Sequence, residues 1–274
     1  MRYRTHLGRG LDPESKWNRA IVVLSLLAGM TGAALTIALD RDLWLAIQAG
    51  GTTFLAWALA REIDPDRQVT GIIAAVAGGA WVLAGGASAL LPLAGLLIGA
   101  RLVINTIGLR PLPTDLAFVV ILAGAISFTP LGWVMGSALA VAIYVDERMA
   151  EEHDRIGLYA AIGAAAVSSL VATISGAVPD DLTAVHPLLS AAVGVLALIA
   201  VGREPPHPIS FIDARGDRFL RQERLWAARA LVGLAIFVGA ILSAGDAPIV
   251  VPMAMTLGFG MISSEVERIR RPLR

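Results

Sequence analysis

Residues 116–145, LAFVVILAGAISFTPLGWVMGSALAVAIYV, run for thirty residues without a charge. How this stretch divides decides the fold. It is thin for two helices that cross a bilayer at about 20 residues each, and long for one. A single helix would invert every later loop and put Arg203, Arg215, Arg218, Arg221, Arg224 and Arg229 outside the cell. Two short helices broken at Thr129-Pro130-Leu131-Gly132, where Pro and Gly are the expected punctuation, leave every Lys and Arg except Arg41 on one side. Cytoplasmic loops carry the Lys/Arg excess, so the sequence predicts two helices.

Working outward from that break, apolar runs at 20–39, 43–60, 69–88, 91–109, 115–129, 131–147, 156–178, 184–202, 225–243 and 247–264 read as helices. The expectation is an all-α, polytopic membrane protein of about ten transmembrane helices in five hairpins, with both termini cytoplasmic. It forms one integral membrane domain over 1–274 in the cell membrane, and the cytoplasmic loop 203–224 has no fold of its own. The first run is as long as a full span, whereas a signal peptide has an apolar core of about 7–15 residues. It ends in Asp40-Arg41-Asp42 rather than at a small-residue cleavage site, so it reads as a retained helix. Trp17 and Trp226 at the inner ends and Trp44 and Trp133 at the outer ends fit interfacial belts, while Trp57 and Trp81 do not.

Composition agrees with this class. Hydrophobic residues make up 56% of the 274-residue chain and charged residues 16%, against about 25% charged in soluble domains. Mean hydropathy is +0.71. Apolar runs without alternation argue against a transmembrane barrel. The 28 glycines and 6% aromatics suit helices that pack through small residues. Spacings of the GxxxG form at Gly95/Gly99 and Gly132/Gly136 read as contacts inside the bundle. With no cysteine, disulfides and thiolate chemistry are excluded.

Candidate site residues come from charges near helix ends. Arg101 is the one charge set clearly inside an apolar run, and Asn105, four residues on, would share its helix face. A central charge is expensive in a bilayer, so Arg101 should face protein and meet a carboxylate such as Asp64, Asp115 or Asp146. Arg61 closes the second run in Ala60-Arg61-Glu62, echoed by Gly202-Arg203-Glu204 at the end of the eighth. Arg61, Arg101, Asn105 and Arg203 are therefore the expected substrate-binding residues, because guanidinium groups at that depth suit phosphate or carboxylate. Asp64 and Asp66 on their Pro-containing turn form a candidate site for a hard cation such as Mg²⁺, which takes one or two carboxylates plus substrate phosphate. Apart from that Mg²⁺ no cofactor is expected. Anionic lipids of the bilayer are the expected partners, nucleic acid is not, and the oligomeric state is left open. The arginines at 215, 218, 221 and 224, interleaved with Phe211, Ile212, Phe219 and Leu220, read either as an interfacial element or as a long cytoplasmic loop.

No phosphate-binding Gly-rich loop, His-Glu-x-x-His or Gly-x-Ser-x-Gly occurs. The size and topology resemble the drug/metabolite transporter superfamily, a likeness of architecture that no motif carries to individual residues. Three functions follow as expectations. The first is a transporter of a small or amphiphilic solute that works without ATP hydrolysis. The second is a membrane-embedded enzyme acting on a lipid-linked phosphate or polyprenyl substrate at the cytoplasmic face. The third is a structural or partner-binding membrane subunit. The absence of an Asp, Glu or His near the middle of any run argues against ion coupling.

Overall fold

The computed structural model describes residues 5, 7–8, 10–40, 42–86, 89–129, 132–176, 195, 208–210, 212, 218–242, 251–254, 256 and 258. Within them the chain is all-helical, with a single β-bridge residue, Phe219, and no strand. The helices are α1 Lys16–Leu39, α2 Trp44–Ile63, α3 Gln68–Leu83, α4 Leu90–Ile104, α5 Pro113–Ser127, α6 Gly132–Met149, α7 Arg155–Ser175 and α8 Gln222–Leu242. Residues 251–254 are helical as well. The expected run at 184–202, apart from residue 195, lies outside the described residues. So do Arg203 and most of the run at 247–264.

The decisive stretch is two helices. α5 stops at Ser127, where the Thr129 N–H and hydroxyl both bond the Ile126 carbonyl, at 2.9 and 2.7 Å. α6 restarts at Gly132, whose N–H bonds the Thr129 carbonyl at 2.8 Å. A Cβ on Gly132 would overlap the Ile126 carbonyl oxygen, so the turn needs glycine. One helical turn on, a Cβ on Gly136 would come within 2.5 Å of the hydroxyls of Ser127 and Ser168. Gly136 is thus the point where α5, α6 and α7 meet. Gly95 and Gly99 likewise face side chains of α5, α6 and α8, so the GxxxG spacings serve contacts inside the bundle.

The helices form two triplets around a central pair. α1, α2 and α3 pack together, as do α5, α6 and α7. α4 lies between the triplets against α2 and α6, and α8 packs on α4 and α6. The core follows these seams, with Leu59, Leu93, Leu96, Leu102, Leu139, Ile143 and Ile236 fully buried. Trp57, which fits no interfacial belt, belongs to this core at 2% exposure.

The outward faces of the flanking helices are apolar. α7 buries a stripe of Gly157, Ala161, Ala164, Ser168 and Ala172, and turns Ile162, Leu170 and Ile174 outward. α1 does the same with Leu26, Met30 and Ile37, the last 84% exposed. Apolar faces this broad are unusual in water. α1, α7 and α8, of 24, 21 and 21 residues, are long and apolar enough to cross a membrane. α3, α4 and α5 are apolar but shorter, at 16, 15 and 15 residues.

Candidate functional site

At several helix ends the charge suits the local dipole. α2, α4 and α6 finish at one end of the bundle and carry Arg61, Arg101 and Arg148 in their last turns. α5 and α8 start there with Asp115 and Glu223 in their first turns. The α7 N-cap is Asp154, whose carboxylate accepts the Ile156 N–H at 3.1 Å. Cations at helix C-termini and anions at N-termini each favour the local dipole. Asp115, at the third position of α5, adds an N-terminal cap by accepting the Leu112 N–H at 3.1 Å. This charge-rich end holds two separate clusters.

The first cluster is closed by the chain's own N-terminal segment. Glu62, 2% exposed, accepts the Thr106 hydroxyl at 2.9 Å and Arg101 Nε at 3.4 Å. Arg101 Nη1 also donates to the Leu7 carbonyl at 3.1 Å, and the Leu7 side chain is buried in the core. Arg61 donates to the Asn18 side chain at 2.8 Å and lies 5.2 Å from the Trp57 ring centroid. Asn18 in turn donates to the Asp12 carbonyl at 3.0 Å, and the Thr5 hydroxyl donates to Asp115 at 2.5 Å.

Arg101 does face protein, but two expectations about it are corrected. Its carboxylate is Glu62 rather than Asp64, Asp115 or Asp146. α4 ends at Ile104 rather than near Leu109, so Arg101 lies in the last turn and not deep in a span. Asn105 is the C-cap in the left-handed region at φ 54°, where its side chain accepts the Gly108 N–H at 2.8 Å. Having left the helix, Asn105 does not share a helix face with Arg101.

Asp64 and Asp66 are engaged by protein groups. Asp64 is buried and pairs with Arg67 at 3.6 Å. Asp66 accepts the Ile209 N–H at 2.9 Å and the Ser210 hydroxyl at 2.5 Å. Among the described residues no group of three or more His, Cys, Asp or Glu is arranged to hold a metal. Asp66 thereby ties the turn after α2 to the segment before α8. Its described residues pair with one another rather than forming a helix: Ile212 N–H bonds the Arg218 carbonyl and Leu220 N–H the Ser210 carbonyl.

The second cluster surrounds an open cavity of about 360 Å³ where the ends of α4 and α6, the residues Ile212, Arg218 and Phe219, and the start of α8 converge. Its floor is a buried ion pair. Arg224, 6% exposed, donates to Asp146 at 2.7 Å and to the Val103 carbonyl at 2.8 Å. The rim is charged: Arg218 meets Glu151 at 2.9 Å, and Arg110 stands 3.8 Å from both Glu147 and Glu152. Asn105 and Asp146 line this cavity, while Arg61, Asp64 and Arg101 do not.

Sequence reasoning missed Glu62, Arg110 and the pairing of Arg224 with Asp146. For Arg224 a signal was present in the flanking Leu220, Leu225 and Ala228, which set that one arginine of the series on a buried helix face. Searches of protein-family models, curated proteins and solved structures return no match to this chain.

Proposed function

We propose that the chain is a polytopic membrane carrier of a small or amphiphilic solute, working without ATP hydrolysis and binding that solute in the cavity at its charge-rich end. The observation that carries this reading is the cavity itself. It has the volume of a small-molecule site, a fixed floor in Arg224 and Asp146, and charged side chains on its rim. The outward apolar faces of α1 and α7 support placing the bundle in a bilayer. In that placement the charge-rich end faces the cytoplasm, because the Lys and Arg of the described residues gather there, and anionic lipid headgroups of that leaflet lie beside it. The reading needs no cofactor. Mg²⁺ at Asp64 and Asp66 belongs to the alternative of a lipid-phosphate enzyme.

Purified protein in vesicles loaded with labelled inorganic phosphate, glutamate and phosphoethanolamine tests the carrier reading. Release of at least one probe faster than from protein-free vesicles, without ATP, is the expected result. If none is released while a lipid-linked phosphate is cleaved in the presence of Mg²⁺, the enzyme reading replaces it.

A further inference from the structure

We infer that the cavity binds a zwitterionic group, an anionic phosphate or carboxylate carried beside an ammonium, with Arg110 as its anion-binding residue. The inference rests on the reading of this cavity as a ligand site. Arg110 comes from the loop between α4 and α5 and is 46% exposed. A guanidinium has five N–H donors. Among the described residues Arg110 uses one of them, from Nη2 to the Glu152 carbonyl at 2.7 Å. The carboxylates of Glu147 and Glu152, each at 3.8 Å, lie beyond hydrogen-bond distance and leave the other donors open. Each of the other guanidinium groups around the cavity hydrogen-bonds a carboxylate, Arg224 to Asp146, Arg221 to Glu223 and Arg218 to Glu151, whereas Arg110 bonds only a carbonyl.

The sign of the charges then selects the ligand. A lone anion on Arg110 would sit beside Glu147 and Glu152, and like charges at such distances repel. A lone cation on those carboxylates would meet Arg110 and Arg218. A molecule with both charges satisfies both sets, its anionic oxygens taking the open guanidinium donors and its ammonium lying against Glu152 and Glu147. Arg suits such a planar, paired contact with phosphate or carboxylate. The same chemistry occurs in a free phosphoethanolamine-like solute and in the headgroup of a zwitterionic phospholipid, so the test separates the two sources.

Full-length protein in detergent is titrated with phosphoethanolamine, ethanolamine and inorganic phosphate, with calorimetry as the readout. The inference predicts that phosphoethanolamine binds roughly tenfold or more tightly than either single-charge probe. Arg110→Gln should remove most of that affinity, by a factor of roughly ten or more for the loss of charge-assisted hydrogen bonds. Glu152→Gln should narrow the gap between phosphoethanolamine and phosphate. Nanodiscs of phosphatidylethanolamine and of phosphatidylglycerol supply the lipid arm. Arg110-dependent stabilisation in the first alone, without binding of soluble phosphoethanolamine, identifies a lipid headgroup as the zwitterion. Equal binding of phosphate and phosphoethanolamine would overturn the zwitterion and keep the cavity as an anion site. No binding of any probe, and no difference between Arg110→Gln and wild type in either nanodisc, would overturn both the inference and the reading beneath it.

Discussion

Arg101, in the last turn of α4, and Arg110, in the loop that follows, belong to the same end of the bundle but are held in opposite ways. The Arg101 side chain is 18% exposed, pairs with buried Glu62 and donates to the Leu7 carbonyl of the N-terminal segment. Arg110 is 46% exposed, bonds one carbonyl and stands off two carboxylates at the edge of a cavity. The first guanidinium finds its partners within the fold, whereas the second keeps donors to spare. The difference shows why charge near a helix end is a poor guide to binding. What separates the two roles is whether the chain itself satisfies the donors, and that depends on contacts between residues far apart in sequence.

The largest effect is expected below the cavity. Breaking the Arg224–Asp146 pair by Asp146→Ala leaves a buried guanidinium uncompensated and should lower stability by about 3–5 kcal/mol. The double substitution Arg224→Met with Asp146→Leu should recover most of that loss, because replacing a buried pair by apolar side chains is often neutral. Chemical denaturation in mixed micelles measures both. A loss below about 1 kcal/mol for Asp146→Ala would mean that water reaches the pair and that the cavity floor is not fixed.

Glu62→Ala comes next. It strands the Thr106 hydroxyl and one donor of Arg101, with an expected loss of about 2–3 kcal/mol. Ligand binding in the cavity should be unchanged, and altered affinity would show that the two clusters are one site. Leu7→Ala tests the N-terminal cover of the first cluster. Loss of its buried side chain should lower stability by about 2 kcal/mol and raise protease cleavage between residues 5 and 15. Unchanged cleavage would show that Leu7 does not anchor the segment. Arg110→Gln is the mildest change, with an expected stability effect under about 1 kcal/mol because its ion pairs are exposed and long. A loss as large as that of Glu62→Ala would erase the contrast between the two arginines.

Much of the helical frame was legible in the chain. The apolar runs located α1 to α7 and α8 to within a few residues at most ends. Charge asymmetry and the Thr129-Pro130-Leu131-Gly132 signal point to a break between α5 and α6, and the helices stop at Ser127 and restart at Gly132, within two residues of the expected ends. α4 was overextended because Asn105 and Thr106 interrupt an otherwise apolar stretch without a Pro or Gly before Gly108, and only the left-handed conformation of Asn105 ends the helix. The candidate site was less legible. Glu62 stands among the charges that close the second run, and its burial depends on Arg101 from α4 and on Thr106 just beyond the end of that helix. Arg224 was hidden in a row of arginines at three-residue spacing, and its partner Asp146 lies 78 positions away. Side-chain pairing over such separations follows from helix packing, which no local pattern encodes.

The proposed carrier requires that the charge-rich end, with the cavity at Arg110, face the cytoplasm. The chain contains no cysteine, so single cysteines introduced at Glu151 and Arg218, both exposed on the rim, and at Asp40 on the turn after α1 test it directly. A membrane-impermeant maleimide applied to intact spheroplasts should label the cysteine at position 40, and should reach those at 151 and 218 only after permeabilisation. Labelling at position 151 or 218 from outside would contradict the orientation and, with it, a carrier site open to the cytoplasm.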